Sequence, residues 1–139
     1  MSGDRMSIVA AKSALVAAVA AVTTADVFYG RAASIGRAGA VSILGGRAAV
    51  TPEFIGPSPD ADRWTVEAVC SSANLGGAPS DSEEAAMALV GHVRDAIAAD
   101  TTLGGAVQHC QVLGIDLAPA ESDAFASDAI VSIQLYMVR

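Results

Sequence analysis

The chain has 139 residues, a formal net charge of −7, 53% apolar residues and 4% aromatic residues. This length suits one domain with its own core, and we expect a single domain over residues 1–139. The negative charge argues against a protein whose main task is to grip nucleic acid, because such proteins neutralise phosphates with clustered lysine and arginine. Small apolar side chains give little burial per residue, so contacts between subunits would add useful stability.

The first element predicted is a helix over residues 7–23. Leu15, Val16, Val19 and Val22 recur at spacings of three and four and predict one apolar stripe. The longest uninterrupted apolar run, Ala14–Val22, has nine residues. A membrane span needs about 20 residues, so we do not expect a transmembrane helix. A buried or interface helix is favoured over a cleaved signal peptide.

Two short strands are predicted next. Val27–Tyr29 is a β-prone triplet that ends at Gly30, and Ala40–Leu44 follows a glycine-rich stretch. The triplet Gly-Arg-Ala recurs at Gly30, Gly36 and Gly46, but no phosphate-binding glycine motif can be written through it. These glycines are therefore expected to set turns or to allow close backbone approach.

Five residues in this region are candidates for a subunit interface. Between Val27 and Pro52 the chain carries three arginines and no acid, which gives either a solvated loop or a docking surface for an acidic neighbour such as another copy. Two apolar residues follow in a proline-rich loop and either fold onto the core or await a partner. The candidates are Arg31, Arg37, Arg47, Phe54 and Ile55.

A third strand and a second helix follow. Arg63–Cys70 alternates, with Trp64, Val66, Ala68 and Cys70 on one face. Ser80 and Glu83 have capping-box spacing, so a helix is expected to begin there and to run to about Ala99. Its predicted core stripe comprises Ala86, Leu89, Val90, Val93 and Ile97.

The remaining chain predicts two strands. Thr101–Gly105 ends the helix, and Ala106–Leu113 alternates weakly. Gly114–Asp128 is acidic and is interpreted as an exposed connection. The last strand, Ala129–Val138, has one apolar face formed by Val131, Ile133, Leu135 and Met137. The element pattern is that of an α+β domain.

The sequence offers little for catalysis, and we expect no catalytic residue, cofactor or metal. A nucleophilic Cys–His pair or a metal site of Cys70, His109 and Cys110 can be imagined, but zinc sites usually have four ligands and a nucleophile needs a base with an orienting group. His92 and His109 are expected to be partly buried with backbone partners. The two cysteines are expected to be buried thiols; a disulfide would need Cα atoms within about 7 Å.

Four segments carry a resemblance to a known family. They are Val27–Gly30, Trp64–Val66, Asp100–Val107 and Ile133–Arg139. Together with the order of elements, they resemble the tail terminator, or tail completion, proteins of long-tailed bacteriophages. The resemblance covers most of the chain.

The resemblance implies a small mixed, largely antiparallel sheet packed against two helices, and a homo-oligomeric ring of six subunits. Such a ring caps the tail tube, stops its polymerisation and joins the tail to the head connector or stopper protein. It implies assembly in the host cytoplasm, a place at the head–tail junction of the virion, DNA that passes through the lumen without specific binding, and no membrane partner.

Three alternatives stay open at this point. A head-to-tail stopper or connector adaptor would also be a ring of small subunits. A small hydrolase or ligand-binding domain would use the neighbourhood of His109 and Cys110. A secreted domain would lose its first helix.

Overall fold

The computed structural model describes residues 7–31, 39–49, 61–72, 79–118 and 127–138. Over these ranges the chain forms two helices and one five-stranded sheet. The elements are α1 (Ile8–Ala20), β1 (Asp26–Tyr29), β2 (Ala40–Ala49), β3 (Ala61–Ser71), α2 (Pro79–Ala99), β4 (His109–Leu117) and β5 (Asp128–Val138). The predicted α+β fold is confirmed.

The sheet is mixed but largely antiparallel, with the order β1-β2-β3-β5-β4. Strands β1 and β2 pair in parallel, and the other described neighbours are antiparallel. The last strand of the chain therefore lies inside the sheet, between β3 and β4. This insertion leaves β1 and β4 as the two edge strands of the described sheet, and these sides of the molecule are named the β1 edge and the β4 edge.

Both helices pack on one face of the sheet, here named the helix-covered face. Ile133 in β5 is fully buried there, and its cross-strand partners Val66 and Val112 lie on the same face. The predicted alternation of β5 is confirmed, because its odd-numbered residues from Ala129 to Met137 are all buried. These side chains form a single core with Leu15 and Val19 of α1 and with the apolar stripe of α2.

Helix α1 begins where Ser7 accepts a hydrogen bond from the backbone N–H of Ala10 (3.0 Å) and so caps one of the unpaired donors. Leu15 and Val19 are buried as predicted, and Val16 is partly buried. The expectation for Val22 is wrong: the helix ends at Ala20, and Val22 is 40% exposed. A residue beyond the last turn no longer follows the helical stripe.

Strand β2 is longer than predicted because two glycines let it continue through an irregularity. The pairing of β2 with β3 shifts register between Leu44 and Arg47, and Gly45 has a φ of 65°. A β-bulge of this kind needs a residue that tolerates positive φ. The paired glycines suggest a strand end in the sequence, whereas pairing with β3 resumes beyond them.

Helix α2 confirms its predicted stripe, since Ala86, Leu89, Val90, Val93 and Ile97 are all buried. The predicted Ser80 cap is wrong, because the helix begins one residue earlier, at Pro79. Proline is well suited to the first turn, where its missing N–H costs nothing. Ser82, rather than Ser80, is buried, and its hydroxyl lies 3.1 Å from that of Ser127, the residue immediately before β5.

Strand β4 is displaced relative to its predicted position. It begins at His109 and continues through Gly114–Leu117, a segment predicted from the sequence to lie in an exposed connection. Pairing with β5 overrides the loop-like composition, and Leu113 is the extra residue at a register shift between Val112 and Gly114. Most of the remaining predicted connection, residues 119–126, lies outside the described residues.

Candidate assembly surface

The segment that links α2 to β4 is organised by Asp100. Its Oδ1 accepts hydrogen bonds from the N–H of Thr102 (3.0 Å) and the hydroxyl of Thr102 (2.7 Å), and its Oδ2 accepts one from the N–H of Gly104 (2.8 Å). Leu103 has a φ of 50° but is only 5% exposed. A buried apolar side chain therefore offsets the cost of a left-handed backbone in this turn.

We expect Asp100→Ala to lower the melting temperature at neutral pH. Hydrogen bonds, first that from the Thr102 hydroxyl, lower the pKa of Asp100. A lowered pKa contributes stability that is present above the unfolded-state pKa of about 3.9 and is lost as the pH falls through the folded-state pKa. The melting temperatures of parent and variant should therefore converge in acid.

Thermal unfolding followed by circular dichroism across an acid titration measures this effect. Asp95→Ala, which removes an exposed acid from α2, is the control and should track the parent. A gap between Asp100→Ala and the parent that stays constant from neutral pH into strong acid would contradict the role given to this carboxylate.

The two cysteines are buried free thiols, as predicted. Cys70 pairs with Ala129 of β5, whereas Cys110 pairs with Leu135 of the same strand. Those partners are six residues apart on one strand, so the thiols are separated by about 20 Å. The disulfide and the shared metal site of Cys70, His109 and Cys110 are both excluded by this distance.

His109 and Cys110 do not form a Cys–His pair. They are successive residues of β4 and point to opposite faces of the sheet; Cys110 is buried and His109 is exposed. Burial raises the pKa of the Cys110 thiol to about 11 and that of the Cys70 thiol to about 12. Neither thiol has the lowered pKa of a nucleophile.

We therefore expect both thiols to resist Ellman's reagent in the folded protein at mildly alkaline pH and to react at once in denaturant. The thiolate is the reacting species, and burial suppresses both its formation and its access. Absorbance of released thionitrobenzoate measures the reaction. Stoichiometric labelling of the folded chain within the mixing time would contradict this description.

The remaining titratable candidates form no catalytic cluster in the part of the chain that is described. The Nδ1 of His92 lies 2.9 Å from the Thr23 hydroxyl, so the histidine has a side-chain partner rather than the backbone partner expected. Among residues with described positions, no group of three or more His, Cys, Asp or Glu is close enough to hold a metal ion. No helix within the same ranges is both long and apolar enough to span a membrane.

Two of the five candidate interface residues can be located. Arg31 follows β1 and Arg47 lies in the neighbouring strand β2, and both side chains are exposed. The strand order thus places these two arginines towards the β1 edge of the sheet. Arg37, Phe54 and Ile55 lie outside the described residues, so the predictions for them stay predictions.

The β1 edge carries an exposed aromatic residue that the sequence prediction did not single out. Tyr29 is 48% exposed, and the Lys12 ammonium of α1 lies 4.5 Å from the centre of its ring. Lys12 itself is largely buried, and the ring supplies a cation–π contact for its ammonium group. This contact fixes Tyr29 on the helix-covered face, with the rest of its ring left to solvent.

The β4 edge carries two exposed leucines. Leu113, at the bulge, is 51% exposed, and Leu117, at the end of the strand, is 41% exposed. The sequence of the strand, His109–Leu117, has no lysine, arginine or proline. Lysine and proline are the usual residues that protect an edge strand from pairing with another chain. The β4 edge therefore has the composition of a strand that can accept a partner.

The two edges differ in charge. The described residues of α1, β1, β2 and the segments beside them hold Lys12, Arg31 and Arg47 against one acid, Asp26. Residues 100–118, which include β4, hold Asp100 and Asp116 and no lysine or arginine. One flank of the described molecule is thus basic and the other acidic, despite the overall negative charge.

On the face of the sheet opposite the helices, the middle of β5 presents the polar, uncharged residues Ser132, Gln134 and Tyr136. Gln134 and Gln111 are joined by an amide hydrogen bond of 3.2 Å, and the Arg63 guanidinium lies 5.8 Å from the ring centre of Tyr136. Ser132, Gln134 and Tyr136 are partly buried by their own neighbours. Cross-strand contacts of this type stabilise the sheet without a covering layer.

No protein-family model matches the chain, and no curated protein matches it. The surface just described therefore carries the functional proposal.

Sequence reasoning did not identify Tyr29 and Leu117 as residues of edge strands. The sequence predicts Tyr29 as part of a strand and Leu117 as part of a loop. Alternation assigns a residue to a face, but only the strand order reveals that β1 and β4 are edges. The one local signal was the absence of lysine, arginine and proline from His109–Leu117, which becomes informative once the segment is known to be an edge strand.

Proposed function

We propose that the chain is a structural protein of long-tailed bacteriophage particles, a tail terminator. Six copies close into a ring that caps the tail tube, stops its polymerisation and joins the tail to the head connector. The protein acts through shape and charge and carries out no catalysis. It works at the head–tail junction of the virion after assembly in the host cytoplasm.

The observation that carries the proposal is the unlike character of the two sheet edges. A ring needs heterologous contacts, in which one patch on each subunit meets a different patch on the next. The β1 edge offers Tyr29 beside Lys12 and Arg31, and the β4 edge offers Leu117 beside Asp116. A surface with one patch of each kind suits a ring better than a two-fold dimer, whose interface would place like charges together.

Among the functions that a ring-forming protein could have, the resemblance of the sequence favours that of a tail terminator. One of the four segments that carry the resemblance is Asp100–Val107, and the residues of that segment have separate structural roles. The Asp100 carboxylate accepts the hydrogen bonds that hold the turn together. Leu103 and Val107 are buried, and Gly104 and Gly105 have positive φ. The motif thus sets how the chain leaves α2 and enters the β4 edge.

The negative charge of the chain supports a ring through whose lumen DNA passes. Each copy contributes a formal charge of −7. A ring of such copies has a strongly negative field, which repels phosphates from a lumen and lets a duplex pass without specific binding.

Polymerising tail-tube protein from the phage that encodes this chain provides the test. Added during polymerisation, the protein should bind tube ends and halt elongation, as seen by electron microscopy of tube lengths. Binding to the purified head connector without any effect on tubes would favour the head-to-tail stopper instead. Tubes that lengthen at the normal rate, with no protein at their ends, would contradict the proposal.

Charge reversal of an exposed arginine tests the basic flank. We expect Arg31→Glu or Arg47→Glu to raise the concentration needed for ring assembly about fivefold, because an attraction to an acidic neighbour becomes a repulsion. Light scattering at low and high salt measures the effect, which salt should reduce. Arg94→Glu, on an exposed position of α2, is the matched control. Equal assembly by all three variants would contradict the role of this flank.

A further inference from the structure

We infer that copies of this chain join by sheet continuation, with β4 of one copy pairing antiparallel with β1 of the next. The partner is a second copy of the chain. The inference deepens the proposed ring function and rests on it, since it names the strands that make the ring contact.

The directions of the two edge strands permit this pairing. β1 runs parallel to β2, and each later step across the sheet reverses direction, through β3 and β5 to β4. β1 and β4 therefore run in opposite directions. Copies related by rotation about an axis along the strands would bring β4 beside the neighbour's β1 in antiparallel orientation, the stronger of the two pairing modes.

The free backbone groups of the β4 edge follow from its bonds to β5. The Ala118 N–H donates to the Asp128 carbonyl at 2.8 Å. Because bonding alternates along an antiparallel strand, Asp116 also directs its N–H and C=O towards β5. Ile115 and Leu117 consequently direct theirs to the open side, where the described residues provide no further strand.

The free backbone groups of the β1 edge follow in the same way from its bonds to β2. The Gly30 N–H donates to the Ile43 carbonyl at 2.9 Å, so Phe28, two residues earlier, also bonds towards β2. Val27 and Tyr29 are left with N–H and C=O groups on the open side. In the described part of the sheet, β1 is the last strand on this side.

The side chains next to the free backbone groups of both edges lie on the same face of the sheet. Ile115 and Leu117 lie opposite Val131 and Ala129 of β5, which are buried on the helix-covered face. Val27 and Tyr29 lie opposite Val41 and Ile43 of β2, buried on that same face. Hydrogen-bonded partners in an antiparallel pair share a face, so Leu117 would meet Val27 or Tyr29 with all helices kept on one side of the ring.

Length and charge favour these unlike edges over two copies of β4. The regular part of β4 after the bulge, Gly114–Leu117, is as long as the four residues of β1. Pairing β4 with β4 through Gly114–Leu117 would bring the Asp116 residues of the two copies together. Pairing β4 with β1 instead brings Asp116 to the flank that holds Lys12 and Arg31, and it buries two exposed apolar side chains, Leu117 and Tyr29.

Disulfide trapping tests the contact directly. The double variants Leu117→Cys/Tyr29→Cys and Leu117→Cys/Val27→Cys represent the two registers that place Leu117 opposite an outward-bonding residue of β1, as the inference requires. Mild oxidation should convert at least one of them into a ladder of covalent multimers on a non-reducing gel. Within one copy the two positions are separated by four strand spacings, about 19 Å, so an internal disulfide cannot form. The parent chain, with its buried thiols, should give no ladder.

The controls separate this contact from other assemblies. Leu117→Cys alone should stay a single band; covalent dimers from it would show β4 pairing with β4 and overturn the inference. Rings seen by electron microscopy without a ladder from either double variant would overturn the β4–β1 contact and leave the proposed function standing. A chain that stays monomeric at high concentration would overturn both.

A second variant pair avoids cysteine. Leu117→Lys adds a charge at an exposed position of an edge strand, and it should weaken ring assembly at least tenfold while the isolated subunit keeps its circular dichroism spectrum. Thr65→Lys adds the same charge to β3, the middle strand, and should assemble as the parent does. Equal assembly by the two variants would overturn the inference.

Discussion

Replacing Gly39 with alanine is expected to reduce the free energy of unfolding by about 3 to 5 kcal/mol. Gly39 precedes β2 with a φ of 85°, a conformation that L-residues rarely adopt. A Cβ atom there would lie 2.7 Å from the carbonyl oxygen of Ser71 and 2.9 Å from Cδ1 of Leu89. The first neighbour is backbone in β3 and the second is a core side chain of α2, so neither can yield freely.

The control for this variant is Gly105→Ala. Gly105 has a similar φ of 91°, but no heavy atom lies within 4 Å of the position that a Cβ atom would occupy there. Gly105→Ala should therefore lower the free energy of unfolding only by the cost of a positive φ in an L-residue, about 1 kcal/mol. Urea unfolding measured by tryptophan fluorescence gives both values. Equal losses for the two variants would contradict the close approach of α2, β2 and β3 at Gly39.

Ile133→Ala is expected to reduce the free energy of unfolding by about 3 to 4 kcal/mol. Ile133 is fully buried in β5, between Val66 and Val112 on its neighbouring strands. Truncation removes apolar burial and leaves a cavity that close packing of the sheet prevents from collapsing. With a total stability of about 5 to 15 kcal/mol, a loss of this size would leave a marginal domain only just folded in water.

Ile133→Val provides a graded control. It keeps the β-branched shape, removes one methyl group and should cost about 1 kcal/mol. The same urea titration compares the three proteins. A loss below about 1 kcal/mol for Ile133→Ala would contradict the position of this residue at the centre of the core.

Strong periodicity predicted the interior of the fold. The residues that the alternation of β5 and the stripe of α2 predict to be buried are buried, because one face of each element packs against the same core. Composition was a poor guide where pairing with a neighbour decides structure. Gly45 and Gly114 suggested breaks, yet β2 and β4 continue through them as bulged strands.

The candidate surface was harder to foresee than the core. Arg31 and Arg47 are exposed, as both the solvated and the docking interpretations of these arginines require, so their place in an interface stays a prediction. Tyr29 and Leu117 became candidates only through the strand order, since the insertion of β5 between β3 and β4 turns β4 into an edge. That insertion is a long-range pairing, which local sequence patterns do not encode.

Native mass spectrometry of the purified 139-residue chain, combined with electron microscopy of the same sample, is the most direct test of the claim that this protein closes into a ring with its own copies. We expect one dominant assembly of six chains, with a central channel in the images. A monomer at every concentration, or a two-fold dimer without a channel, would contradict the claim.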